Sequence, residues 1–265
     1  MEREVPTWVI EGSVFRDNDV DLADAVWRTG GCVVAWRDEW STGQAVPALT
    51  GPVVFHGSLG SADVVARAGW WSPGAFCATS QFACSAWWPA ARDVLLTSRY
   101  TLTTVGDLVA AGAPDGFGAR IFVRPDSPLK PFSGRVLDAD RITLQALDHG
   151  FYYDETSLPV IVTPVVEVRE EWRLVVVGDR IVAGSSYTAD GRRAGEPLRA
   201  DHRVCVYGQS LLKKLPTPDL AFVMDIAEGP DGLRLLELNP FSGADLYACD
   251  RDSIVSSLHQ ALLHL

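Results

Sequence analysis

The chain predicts a mixed α/β (α+β) protein, and three observations carry that prediction. Strand-like and helix-like runs alternate through residues 1–115, two antiparallel hairpins are marked by Gly178-Asp179 and Gly229-Pro230-Asp231-Gly232, and an amphipathic helix closes the sequence. A chain of 265 residues that is 47% hydrophobic and 22% charged has globular composition, and at this size about three-quarters of the unfolded surface can be buried.

In chain order, Gly31–Trp36 and Pro52–His56 read as buried strands, while Asp19–Trp27 and Ser61–Ala68 have helical spacing with Ser61 as the cap. Trp27, Trp36, Trp40, Trp70, Trp71, Trp87 and Trp88 crowd this first part, where large indoles are expected to serve packing rather than to form ligand platforms. The turn-rich passage Ala111–Gly118 suits a junction, which divides the chain into an N-terminal α/β domain (1–115) and a second domain (116–265). Arg120–Arg124 is a short strand, followed by a loop whose three prolines and Gly134 prevent a helix. Pro159–Val168 is β-rich, Trp172–Val177 and Arg180–Tyr187 form the first hairpin, Ala221–Ala227 and Leu233–Asn239 the second, and Asp252–Leu265 the closing helix.

Lys and Arg number 23 against 34 Asp and Glu, a net charge of −11 that repels phosphate backbones and disfavours broad nucleic-acid binding. No targeting or membrane-spanning signal is present, so the expectation is a cytoplasmic protein with no membrane partner. The five cysteines lack zinc-ribbon spacing and are expected to be reduced, packed thiols. There is no P-loop, no complete Gly-x-Gly-x-x-Gly and no Gly-x-Ser-x-Gly. His56-Gly57-Ser58 reads as a strand-to-helix loop rather than as an anion site.

The second hairpin holds the chemistry. Strand alternation puts Val223, Asp225 and Ala227 on one face, and Leu233, Leu235, Glu237 and Asn239 on one face of the partner strand. A turn centred on Asp231 sets Asp225 across from Glu237, where like charges repel unless something offsets them. A divalent cation such as Mg²⁺ or a structural ion pair would do so; a solvated face fits poorly with a strand that is apolar on both sides. Arg124, Lys130 and Arg173 are cations suited to clamping a polyphosphate, and a two-residue turn at Gly178-Asp179 sets Arg173 opposite Gly184, with open space before it.

These residues resemble a known family. Phe122-Val123-Arg124-Pro125, Lys130 with Phe132-Ser133-Gly134, Glu171-Trp172-Arg173, Asp225 and Glu237-Leu238-Asn239-Pro240-Phe241-Ser242 together are similar to the ATP-grasp superfamily, nearest its clade distinguished by two arginines and a lysine, the R-two-K clade. The resemblance implies an ATP-grasp fold in which two α+β subdomains hold ATP between them, preceded by a small α/β domain. It implies Arg124, Lys130 and Arg173 as phosphate-binding catalytic residues and Asp225, Glu237 and Asn239 as Mg²⁺ ligands. Glu167, in competition with Glu170 and Glu171, falls at the adenine–ribose hinge, and Tyr187, Arg192 and Ser242 fall on the acceptor side. The covering loop departs from the family in being proline-rich rather than glycine-rich, and the acidic set is minimal.

The implied activity is an ATP-dependent carboxylate–amine or carboxylate–thiol ligase acting through an acyl phosphate on an amino acid or peptide. Its partners would be small-molecule or peptide substrates, with no nucleic acid, and assembly as a homodimer stays open. The alternative is a non-catalytic ATP-binding regulatory module; an ATP-dependent nucleic-acid ligase is disfavoured by the charge and by the lack of a lysine nucleophile motif.

Overall fold

The short apolar runs of the first part become parallel strands. In a computed structural model that describes residues 5–15, 18–189, 192–193 and 195–263, with 18–20, 188–189 and 192–193 described in backbone alone, β1 (Thr7–Ile10) lies between β2 (Cys32–Ala35) and β3 (Val53–His56). β4 (Pro73–Gly74) adds to β3, which gives the order β2-β1-β3-β4. Helix α1 (Asn18–Arg28) crosses from β1 to β2, and α2 (Leu59–Ala68) follows β3. Ser58, not the expected Ser61, caps α2 by accepting from the Ser61 N–H. The Glu11 carboxylate accepts from the Ser58 N–H and from the Ser61 hydroxyl, so the protein's own anion fills this helix start.

The tryptophans largely pack, as expected. Trp36, Trp40 and Trp71 join Phe55 and Val65 in one core, while Trp27 is exposed. A short turn α3 (Thr79–Phe82) and helix α4 (Cys84–Ala91) carry Trp87 and Trp88 into a second core shared with the C-terminal sheet.

The middle sheet is antiparallel, in the order β5-β8-β6-β7: β5 (Thr101–Thr104), β6 (Arg120–Pro125), β7 (Arg135–Asp138) and β8 (Pro159–Pro164), with α5 (Val105–Ala111) following β5. It begins ahead of the turn-rich passage at 111–118, because β5 pairs with β8.

The third sheet, order β11-β10-β9-β12-β13, is antiparallel: β9 (Glu170–Val177), β10 (Arg180–Ala189), β11 (Arg192–Arg193), β12 (Ala221–Gly229) and β13 (Gly232–Pro240). Its Trp172, Leu174, Val176, Phe222 and Met224 face α4 and α6 (Arg203–Leu211). On the other face Val175, Val177 and Ala221 pack with α7 (Arg251–Leu262) and the Trp8 core. All five cysteines are free, and Cys32 is exposed rather than packed. Among the described residues no helix is long and apolar enough to cross a membrane.

Candidate active site

Two bulges decide the site. A bulge at Val182 shifts the first hairpin by one residue, so Arg173 faces Ser185 instead of Gly184. In the second hairpin the turn is Pro230-Asp231, which pairs Ile226 with Leu235; one extra residue, Leu236, then restores Asp225 to its place opposite Glu237. A regular ladder from that turn would set Glu237 against buried Met224. Leu235 and Glu237 therefore lie on opposite faces, contrary to simple alternation.

The resulting row runs Arg173, Asp225, Glu237 across three neighbouring strands. Arg173 is not in open space. Its Nε and Nη2 donate to the two oxygens of Asp225 at 2.9 and 2.8 Å, and Nη1 donates to the Asp245 carbonyl at 2.7 Å. Asp225 is 1% exposed, so it is neither solvated nor bare. Asn239 Nδ2 donates to Asp225 Oδ2 at 3.1 Å and the same side chain hydrogen-bonds Glu237.

Glu237 receives its partners from the middle sheet. Arg124, at the end of β6, donates to Glu237 Oε1, and Lys130 Nζ approaches both oxygens at 3.0 and 3.2 Å. Burial works to raise the Glu237 pKa, but the Arg124 and Lys130 charges outweigh it and hold the carboxyl down at about 2. Burial likewise opposes the charge of Arg124 and Arg173, yet their carboxylate partners keep both guanidinium pKa values above the usual range.

Lys130 sits at φ +49°, held by a loop that α4 anchors. The residue before α4, Ala83, has no side chain able to cap it; the Ser85 N–H and hydroxyl donate instead to the two oxygens of Asp126, each at 2.7 Å.

Tyr187 and Tyr247 stack in parallel with ring centroids 5.0 Å apart, and the Arg173 guanidinium lies 4.8 Å from the Tyr247 ring and 5.8 Å from that of Tyr187. Tyr247 carries no local sequence signal. Its loop is held by the buried Arg251, which donates to the carbonyls of Leu246, Tyr247 and Cys249.

A cavity of about 310 Å³ opens beside Arg124 and Glu237. Its walls are apolar, from Phe122, Val136, Leu235 and Leu236, and the chain at Thr163–Val166 lines one side. Glu171 and Tyr187 line it and are hydrogen-bonded to each other. Burial, with Asp225 and Glu237 nearby, raises the Glu171 pKa against the hydrogen bond from Tyr187. Glu167 is exposed and lines a separate groove with Arg99 and Arg234, so of Glu167 and Glu171 it is Glu171 that joins Glu237 at this cavity. Ser242 is fully buried and its Oγ accepts from the Phe76 N–H, which removes it from any acceptor surface. The side chain of Arg192 lies outside the described residues.

Residues 99–256 match the model of the ATP-grasp domain, R-two-K clade family 2, over more than half of the chain. The chain belongs to that family. Among solved structures, the chain resembles a RimK domain protein ATP-grasp from Sphaerobacter thermophilus DSM 20745, with TM-score 0.62 and 13% identity over 97% of this chain and 99% of that one. It resembles the ATP-grasp ligase PsnB, solved with a phosphomimetic variant of its minimal precursor, Mg and ADP, at TM-score 0.59 and 16% identity over 99% of each chain. It also resembles D-alanine–D-alanine ligase from Bacillus anthracis complexed with ATP, at TM-score 0.62 and 13% identity over 98% of each. No curated protein matches the chain.

The ATP-grasp domain's donors suit Mg²⁺ in kind. Asp225, Glu237 and Asn239 offer hard oxygens from one face of one hairpin. Among the described residues no three His, Cys, Asp or Glu converge, so such an ion would draw its remaining ligands from phosphate and water.

Proposed function

We propose that this ATP-grasp domain is an ATP- and Mg²⁺-dependent ligase that joins a carboxylate to an amine or thiol through an acyl phosphate, with an amino acid or peptide among its substrates. The observation that carries the reading is the convergence of Arg124, Lys130, Arg173, Asp225, Glu237 and Asn239 at the mouth of an apolar cavity. That cluster holds one more cation than carboxylates, a balance that welcomes a polyphosphate. The segment Val165–Val166, which lines the cavity, favours a base beside it: among the described residues its N–H and C=O groups make no backbone hydrogen bond, which leaves them for a heterocycle edge. Glu171 lines the same cavity and would accept from the ribose hydroxyls of a nucleotide bound there.

In this reading the donor carboxylate attacks the γ-phosphorus, the β–γ P–O bond breaks and ADP leaves. The amine or thiol then attacks the acyl carbon, loses its proton, and expels phosphate. Arg124, Lys130 and Arg173 hold the phosphates and offset the charge that builds during transfer. Mg²⁺, held by Asp225, Glu237 and Asn239, would supply further charge neutralisation. No side chain needs to form a covalent bond. Cys84, the thiol near this cluster, is buried and its pKa is pushed up to about 11, so it stays protonated. The stacked Tyr187–Tyr247 pair flanks Arg173 and would border the acceptor. The precursor peptide bound by PsnB and the ATP bound by D-alanine–D-alanine ligase support this substrate class.

Screening ADP release against pooled amino acids and short peptides, with mass spectrometry of products and hydroxylamine to trap the acyl phosphate as a hydroxamate, tests the proposal. Folded protein that binds ATP but releases no ADP with any pool would refute it.

A further inference from the structure

Among the described residues five non-glycine residues take a positive φ, and the aromatic one is Tyr247, at +45°. A bulky side chain in this region costs free energy and persists only where its surroundings over-determine it. Tyr247 meets that condition. Its N–H donates to Asp245 Oδ1 at 2.8 Å, its carbonyl accepts from Arg251 Nη2 at 2.6 Å, and the N–H of Ala248 donates to Ser185 Oγ at 3.2 Å. Both Arg251 and Ser185 are buried. Core packing does not account for the ring, which is half-buried and joins none of the four hydrophobic cores. What the turn delivers is an aromatic face beside Arg173: the ring stacks on Tyr187, and its centroid lies 4.8 Å from the guanidinium. Arg173 has five N–H bonds, of which described residues engage three, Asp225 at Nε and Nη2 and the Asp245 carbonyl at Nη1. One N–H on each terminal nitrogen is left, a fork that grips an oxyanion only in the plane of the guanidinium.

We infer that Tyr247 is a positioning residue for Arg173: its ring, carried to the site by the left-handed turn, fixes the guanidinium plane so that the two remaining N–H bonds meet the terminal phosphate of the nucleotide. This rests on Arg173 binding phosphate, as in the proposed function. It gives the loop after β13 a task in phosphate recognition, and it explains why a tyrosine stands at a backbone position that glycine would fill without strain.

Calorimetric titration of the full chain with AMPPNP and with ADP, each with Mg²⁺, tests the assignment on wild type, Tyr247→Phe, Tyr247→Gly, Arg173→Lys and the double variant Tyr247→Gly/Arg173→Lys. Tyr247→Gly removes the ring and accepts the left-handed turn, so it isolates the ring from the backbone. It is expected to bind AMPPNP about fivefold more weakly, the usual size of a cation–π contact, and to bind ADP like wild type. Tyr247→Phe keeps the ring and should keep the wild-type preference for AMPPNP. Arg173→Lys should also weaken AMPPNP, and adding Tyr247→Gly to it should bring no further loss, because the ring acts through the guanidinium. A wild-type AMPPNP preference in Tyr247→Gly, an equal loss for both nucleotides, a loss in Tyr247→Phe as large as in Tyr247→Gly, or additive losses in the double variant each overturn the inference. If Tyr247→Gly does not fold, Tyr247→Leu, which keeps bulk without an aromatic face, is read in the same way. A wild-type chain that binds neither nucleotide, or full AMPPNP affinity in Arg173→Lys, overturns the phosphate site itself, a separate outcome.

Discussion

Glu237 is a carboxylate that two cations hold ionised in a place too dry to ionise alone. Glu237→Gln keeps the side-chain shape and removes the charge. ADP formation is expected to fall by about 10² or more, and with Arg124 left buried and unpaired the protein should lose about 3 kcal/mol of stability. ADP assays and urea unfolding check the two effects, and far-UV circular dichroism on the same preparation checks that the fold is kept. His56 is a different kind of buried group. Burial, helped by the Arg251 charge and opposed by the Ala244 carbonyl, holds its pKa at about 3. Unfolding restores a value near 6.5, so between pH 6.5 and 3 the unfolded chain binds a proton that the folded one does not, and stability falls as pH falls. Urea midpoints measured from pH 7 to 5 should show His56→Gln losing less stability than wild type, the difference approaching about 1.4 kcal/mol per pH unit below 6.5.

At the scale of elements, the site depends on irregularities. The Leu236 bulge turns Glu237 from the core face to the Asp225 face, and the Val182 bulge sets the small Ser185 opposite Arg173. The Pro125–Gly134 loop is held at its base by Asp126, which closes the open start of α4 through both carboxylate oxygens. Asp126→Ala should cost about 1 kcal/mol, the usual value of a helix cap. It should also weaken nucleotide binding several-fold, because Lys130 would no longer be carried on an anchored loop. Thermal unfolding and nucleotide titration of that variant check the two effects separately; equal nucleotide affinity would mean the anchor serves the helix alone.

For the whole molecule, the middle and C-terminal sheets are joined across the cavity by Arg124 and Lys130 reaching to Glu237. Every carboxylate oxygen of Asp225 and Glu237 already accepts from a cation. A divalent ion arriving alone meets net positive charge, whereas one arriving with a polyphosphate brings the anion that draws the cations away. Mn²⁺ titrated by electron paramagnetic resonance should therefore bind the nucleotide-loaded protein at least about tenfold more tightly than the free one; equal binding would show that the ion pairs open without phosphate. Nucleotide at about a hundred times its Kd should add about 2.7 kcal/mol to the stability of this assembly.

Much of this was legible in the chain. The strand runs and the sites of both hairpin turns follow from local alternation and turn chemistry, which operate over a few residues, and residue type alone names the carboxylates and the three cations; Asp225 meets Glu237 as expected, but only because the Leu236 bulge restores a register that the turn by itself would miss. The bulges, the burial of Ser242, the placing of Glu171 rather than Glu167 at the cavity, and the entry of Tyr247 into the site were decided by packing between segments far apart in sequence. A bulge changes parity without changing composition, and a cavity wall has no periodicity of its own. Local propensity could therefore name the charged residues, while only the packed sheets could determine which of them meet.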